Sequence, residues 1–374
     1  MEMTSVEGRT QIAFDLAIIG GGPAGTAAAI TAARSGRRVL LLERGRLPRQ
    51  RVCGEFVSSE SLDLLAGLVR ENTLLSRAPR IAQARLFFDG KTVSAPIDPP
   101  AASVTRYDLD AALWQAAKDA GVRAELETTV ERTTGEGPFS LSTSAGEFCA
   151  HALIDASGRW SNLRSRPSNG NPLPGNKWLG LKAHYSERDS AASVDLYFFE
   201  GGYCGVQPVT LAGDGNIRIN VCAMVRSDTA RNLTEVFAAC PALRQRASHW
   251  QLLMEPVSTS PLLFGEPEPV RGNILLAGDA AGFVDPFVGD GISLALRSGA
   301  LAAQCLERFL SRQSTISEAA TAYSQSYRQR LLPVFRNSSK LRRLLALPRP
   351  VRGIIGHLFE TVPAASSLLV KLTR

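Results

Sequence analysis

The chain has 374 residues, 44% of them hydrophobic and 21% charged, and carries a net charge of +7. That length supports a sizeable core and fits two domains better than one, and the composition is that of an ordinary soluble protein. Six cysteines, at 53, 149, 204, 222, 240 and 305, show no CxxC or CxxH spacing, which excludes a sequence-encoded metal site and a disulfide framework. The polar N-terminus reads as no secretory signal, so the expected place is the cytoplasm.

In chain order, the apolar run 15–19 predicts a buried strand that meets a turn with glycines at 20, 22 and 25 and then a small-residue helix over 26–35. Strand, glycine turn and helix together are the context in which backbone N–H groups and the helix dipole hold a pyrophosphate. A second buried strand, 39–42, ends in Glu43, at the offset used to accept both ribose hydroxyls. A dinucleotide is implied.

Two further glycine segments follow in a fixed order, Asp155-Ala156-Ser157-Gly158 and Gly278-Asp279-Ala280-Ala281. The late one follows the apolar strand 273–277 and precedes Pro286, Gly289, Gly291 and a helix over 292–310. Asp279 is thereby delivered to a strand end, and the N–H groups near Gly289 and Gly291 are aimed at a flavin. The three segments together describe one bound FAD.

At this point the chain resembles the FAD-dependent superfamily that contains p-hydroxybenzoate-hydroxylase-type monooxygenases, geranylgeranyl reductases and flavin-dependent halogenases, over roughly residues 14–310. The resemblance implies an α/β fold, with a Rossmann-like FAD-binding domain interleaved with an antiparallel-sheet substrate domain, and a C-terminal helical tail. It implies cofactor contacts at Gly20, Gly22, Pro23, Ala24, Gly25, Glu43 and Arg44 for the ADP half, and a phosphate-side contact at Arg106. Asp155 and Gly158 match the middle motif, although its usual Asp-Gly pair is spread over four residues here. Gly278 and Asp279 correspond to the ribityl contact, and Pro286, Gly289 and Gly291 to the border of the isoalloxazine. Arg51-Val52-Cys53-Gly54-Glu55 resembles the Lys-x-Cys-Gly segment of the reductases, with Arg51 in place of Lys.

The expected boundaries are 12–175 and 270–312 for the FAD-binding domain, 176–269 for the substrate domain and 313–374 for a basic helical region, with a linker at 164–176. Residues 178–185, 194–199 and 217–224 read as strands of a mostly antiparallel sheet roofing the substrate. Within it, Gly202 to Val209 keeps Gly202 and Pro208 of the halogenase signature but not its aromatic and apolar residues, which disfavours halogenation. Of the reductase signature only Tyr203 and Pro208 survive, with departures at Gly205, Gln207 and Val209.

Three residues are candidates for catalysis. His184 is a pocket acid or base, or a structural histidine; Tyr203 aims its hydroxyl at substrate, or packs on the flavin; Cys53 lies near the ring, or is a structural thiol. Asp285 and Asp290 flank the flavin loop, where helix capping competes with catalysis. No second glycine fingerprint follows a strand, so electrons come from transiently docked NAD(P)H or from a separate flavin reductase.

Residues 324–374 carry ten Lys or Arg against the single acid Glu360, over apolar positions at helical spacing. This tail suits an anionic membrane at the inner face or an acidic carrier bearing the substrate, and alternatively forms a flap on the FAD domain. Nothing in it resembles a nucleic-acid motif. The function expected is a monooxygenase hydroxylating or epoxidising a hydrophobic or aromatic secondary-metabolite intermediate. The alternatives are a geranylgeranyl-reductase-like carbon–carbon double-bond reductase and a non-catalytic flavoprotein sensor.

Overall fold

The computed structural model describes residues 14–70, 73–159, 177–211, 216–262, 264–284 and 289–337. The linker 164–176, Pro286 and the tail from 338 onward lie outside the described residues. The first half of the chain contains β1 (Phe14–Ile19), α1 (Pro23–Arg34), β2 (Val39–Leu42), β3 (Phe56–Val57), α2 (Leu62–Val69), α3 (Thr73–Ser76), β4 (Arg80–Phe88), β5 (Lys91–Ser103), α4 (Arg106–Asp119), β6 (Arg123–Glu125), β7 (Val130–Thr134), β8 (Phe139–Thr143) and β9 (Gly146–Asp155). The second half contains β10 (Trp178–Glu187), β11 (Ser193–Phe199), β12 (Gly202–Leu211), β13 (Ile217–Arg226), α5 (Leu233–Ala239), α6 (Pro241–Ala247), β14 (Gln251–Leu252), β15 (Val257–Thr259), β16 (Val270–Arg271), β17 (Ile274–Leu276), α7 (Gly291–Leu310) and α8 (Ile316–Arg330).

The first sheet has the order β16-β17-β9-β1-β2-β6, and the hairpin β7–β8 joins it through β9. From β17 to β6 its strands run parallel. Strands covered on both faces must be apolar on both, so β1 and β2 are near-continuous Leu, Ile, Ala and Val. One face packs on α1, α4 and α7, and the other holds Phe139 and Leu141 of the hairpin. The chain leaves β1 for β2 through α1, while β9 lies on the opposite side of β1. The crevice beyond the carboxyl ends of β1 and β9 is therefore a topological switch point, where open α/β sheets bind ligands.

The second sheet runs β14-β10-β13-β12-β11-β4-β5-β3, with β15 on β10. Among the described residues, only its β11–β4 pair is parallel. Its outer face is closed by α5 and α6, through Leu233, Val236 and Leu243 against Leu181, Val206, Val221 and Ala223. Strands β3, β4 and β5 come from within the span 12–175 assigned on sequence to the FAD-binding domain, so that span crosses from one sheet to the other and back. The alternation of strands pairing in register, rather than position along the chain, decides which sheet a segment joins.

Candidate functional site

Four strand ends of the first sheet converge. Gly20 follows β1, Glu43 follows β2, Asp155 ends β9 and Gly278 lies just beyond β17. Gly20 has φ +106, and a Cβ there would overlap the Ala156 carbonyl, so only glycine permits the strand ends to come this close. A Cβ on Gly25 would overlap the Gly20 carbonyl, whereas one on Gly22 would meet no atom within 4 Å. Gly25 is thus a packing glycine, and Gly22 faces open space at the N-terminus of α1. The Glu43 carboxylate is held by the backbone N–H of Gly21 at 2.8 Å, the N–H of Gly45 at 3.0 Å and Arg49 Nη2 at 2.9 Å.

A cavity of about 690 Å³ opens from this cradle and continues along the inner face of the second sheet. Gly20, Gly22, Pro23, Ala24, Glu43, Arg44, Arg51, Cys53, Arg106, Gly158, Gly278, Asp279, Gly289, Gly291 and Tyr203 line it, as do Gly54 and Glu55. Gly25, Asp155 and His184 are not among the residues that line it. Asp155 instead accepts the N–H and hydroxyl of Ser157 and so shapes its own turn. His184 is turned onto Glu55.

The cradle fits a dinucleotide on two observations. Arg51 Nε and Arg159 Nη1 are buried donors without a hydrogen-bond partner among the described residues, and buried donors of this kind are costly unless a ligand satisfies them. Burial, with the neighbouring charges of Arg49 and Arg106, pulls the Arg51 guanidinium down to about 10, so this wall is short of negative charge. Arg159 also stacks on Phe283 at 4.1 Å and approaches Asp279 at 3.4 Å. A pyrophosphate brings the missing anionic acceptors. Residues able to hold FAD are accordingly Gly20, Gly22, Glu43, Arg51 and Arg159 with Gly278 and Asp279. Arg106 is oriented by a bidentate pair with Asp110, at 3.1 and 2.9 Å.

The sheet-side wall is different in kind. Ala84, Leu86, Ala95, Ile97, Val194, Leu196, Met224 and Leu262 are apolar, and Tyr203 packs beside Phe198 at 6.0 Å. At the end of this wall nearest residues 53–55 the side chains become polar. Asn220 Nδ2 donates to the carbonyls of Cys53 and Gly54 at 3.0 and 2.9 Å, and Gln207 Nε2 donates to the Glu55 carbonyl at 3.2 Å. Glu55 accepts from Lys182 Nζ, from the Arg106 N–H at 2.8 Å and from His184 Nε2 at 2.7 Å. Burial and the nearby Glu55 raise the Cys53 thiol above its usual range, only partly offset by Arg106, and burial beside Cys53 pushes Cys222 up to about 12. Both remain thiols near neutrality rather than nucleophilic thiolates.

Sequence reasoning missed Glu55, Lys182, Asn220 and Gln207. A signal was present in β10, where Leu179, Leu181 and Ala183 take one face and Gly180, Lys182 and His184 the other. Two ionisable residues at i and i+2 in a strand whose both faces are covered call for a buried counter-charge.

Residues 15–159 match the family of FAD dependent oxidoreductases. The match begins at β1 and ends at Arg159, and so spans the glycine cradle, Glu43 and the middle motif. The chain is 29% identical to a menaquinone reductase of Mycolicibacterium smegmatis over 90% of this chain and 85% of that one. It is 24% identical to a digeranylgeranylglycerophospholipid reductase of Methanosphaera stadtmanae over 88% of this chain and 86% of that one. A flavoprotein/dehydrogenase from Cytophaga hutchinsonii shares the fold with a TM-score of 0.76 at 19% identity, covering 96% of this chain and 92% of that one. No helix among the described residues is long and apolar enough to cross a membrane.

Proposed function

We propose that this FAD-dependent oxidoreductase reduces a carbon–carbon double bond in an apolar, prenyl-type substrate. The observation that carries the reading is the single cavity joining the glycine cradle to an apolar sheet face. When bound, FAD supplies a hydride. The chain's own contribution is to hold a hydrocarbon against that site and keep water out. Ala84, Ala95, Val194 and Leu196 leave a smooth wall, along which each methylene taken from water contributes about 0.8 kcal/mol. The reductases among its relatives match over most of their length and are named for prenylated quinone and lipid substrates, which supports the same substrate class. Electrons come from NAD(P)H or a partner reductase, since no second dinucleotide cradle accompanies the first in the sequence.

Oxygen insertion, the function expected from the sequence, keeps one observation in its favour. Gly205, Gln207 and Val209 stand where the reductase signature has other residues. The two readings separate cleanly. Anaerobic turnover of a short-chain prenylated naphthoquinone to a product that keeps two extra hydrogens after the quinone ring is reoxidised in air supports reduction of a prenyl double bond. Product formed only in air, with one atom from isotopically labelled oxygen, replaces it with monooxygenation. FAD that is retained but turns over neither way leaves a non-catalytic flavoprotein.

A further inference from the structure

Glu55 is fully buried yet lies at the cavity wall, and its φ of +59 places a non-glycine residue in the left-handed region. Strain of this kind costs about 1–3 kcal/mol and persists where the surroundings over-determine it. Here they do. Lys182 and His184, 0% and 3% exposed, approach its two carboxylate oxygens from β10, and the Arg106 N–H bonds the same oxygen as Lys182. Burial alone would raise the Glu55 carboxyl, but the His184 hydrogen bond and the Lys182 ammonium outweigh it and hold the carboxyl below its ordinary value. The other charged or titratable groups around the cluster are Cys53, the Arg106–Asp110 pair and Cys222, which lies opposite Lys182 across the β10–β13 ladder. Lys182 also reaches Gln50 Oε1 at 3.4 Å.

A clamp between the two sheets requires only hydrogen bonds, and Asn220 and Gln207 already supply them to residues 53–55. Two basic side chains on one buried carboxylate add something a clamp lacks, namely exchangeable protons in excess of those the carboxylate needs. A proton leaving Glu55 for the cavity therefore has two hydrogen-bonded nitrogens behind it.

We propose that Glu55, Lys182 and His184 form a proton relay into the cavity, in which one of the two basic groups passes a proton to the Glu55 carboxylate and Glu55 hands it to the substrate. The inference rests on the reductase reading. Lys182 Nζ or His184 Nε2 passes a proton across its hydrogen bond to the Glu55 carboxylate. Reduction of the double bond adds a hydride to one carbon, the π electron pair moves to the other carbon, and that carbon forms a C–H bond with the proton now on Glu55, which returns to carboxylate while solvent restores the proton to the nitrogen that gave it. One hydride and one proton are consumed for each double bond.

The test uses the holoenzyme, a short-chain prenylated naphthoquinone and the variants Glu55→Gln, Glu55→Ala, His184→Gln and Lys182→Met. FAD reduction should proceed at the wild-type rate, while product formation in anaerobic single turnover should slow by about 10²–10⁴-fold in Glu55→Gln and by less in His184→Gln or Lys182→Met, each of which leaves one proton source behind Glu55. The solvent deuterium effect and the pH dependence of that step should flatten, and added formate should restore rate to Glu55→Ala, which a purely structural carboxylate would not permit. Unchanged rate and pH profile in Glu55→Gln overturn the relay. A second readout needs no substrate. Negative charge arriving in the cavity raises the proton affinity of a nearby carboxylate, so infrared difference spectra on reduction of bound FAD should show a Glu55 carboxyl change, marked by isotopically labelled glutamate. If the wild type oxygenates the naphthoquinone or ignores it, the reductase reading fails on its own. The infrared result then decides the relay, since a Glu55 band keeps it and a silent carboxyl overturns it.

Discussion

The glycines of the cradle look alike in sequence and differ in what surrounds them. A side chain on Gly20 or Gly25 overlaps backbone, whereas one on Gly22 enters open cavity. Gly22→Val should therefore leave the thermal transition of the apoprotein within about 1 kcal/mol of wild type while the protein purifies colourless. Gly25→Val should instead fail to fold. A Gly22→Val protein that stays yellow would show that the pyrophosphate lies elsewhere. Arg51 offers the converse, a buried guanidinium whose Nε has no hydrogen-bond partner among the described residues. Its buried, repelled guanidinium is pulled down to about 10, which at 1.36 kcal/mol per unit corresponds to a penalty of roughly 3 kcal/mol at most in the apoprotein. Arg51→Gln should raise the melting temperature of the apoprotein and weaken FAD binding in titrations followed by flavin fluorescence. The glycine pattern was legible in the sequence, but the division of labour within it was not, because it depends on what the chain brings alongside each position.

At the scale of elements, the cradle exists because α1 and α7 pack closely. Gly299 in α7 faces the Ala24 carbonyl so tightly that a Cβ would overlap it, and Gly278, at φ +61, has Ala24 Cβ 2.9 Å from where its own Cβ would lie. Gly299→Val should push α1 away, destabilise the protein by about 1–3 kcal/mol or more, and reduce FAD affinity without touching the cavity. Chemical denaturation and flavin titration measure the two effects separately. The strands β1, β2, β10, β11 and β13 were readable from apolar runs and alternation. The β4–β5 hairpin was not, although Asp89-Gly90 at its turn, with φ +46 and +78, is a strong hairpin signal. Pro96, Pro99 and Pro100 mask β5 as a strand, and they are tolerated because β5 meets β3 only at residues 102–103, leaving the proline stretch on an open edge.

At the scale of the whole molecule, the loop carrying Cys53, Gly54 and Glu55 joins β2 of the first sheet to β3 of the second. Asn220→Leu removes the partner of two carbonyls, and leaving such groups buried costs about 1–3 kcal/mol each. Hydrogen exchange should rise across residues 50–58 more than in β1 or β2. Glu55 adds a pH dependence with a definite sign. Its folded carboxyl lies below the ordinary value of 4.5, so the unfolded chain binds the proton more readily than the folded one. The stabilisation is fully present above about 4.5 and is lost as pH falls through the folded value, because folding stability rises with pH wherever the unfolded state holds more protons. Glu55→Gln removes the titrating group together with part of the clamp, so the variant is less stable near neutrality but should show a shallower loss of stability below pH 4.5 than wild type. Asp15 and Glu307, also held below their ordinary values beside Arg38 and Arg37, keep their share of the acid limb in both proteins. Thermal melts from pH 6 down to pH 3 compare the slopes directly. Parallel acid limbs would mean that folding leaves the proton affinity of Glu55 unchanged, and would remove the electrostatic basis for its pairing with Lys182 and His184.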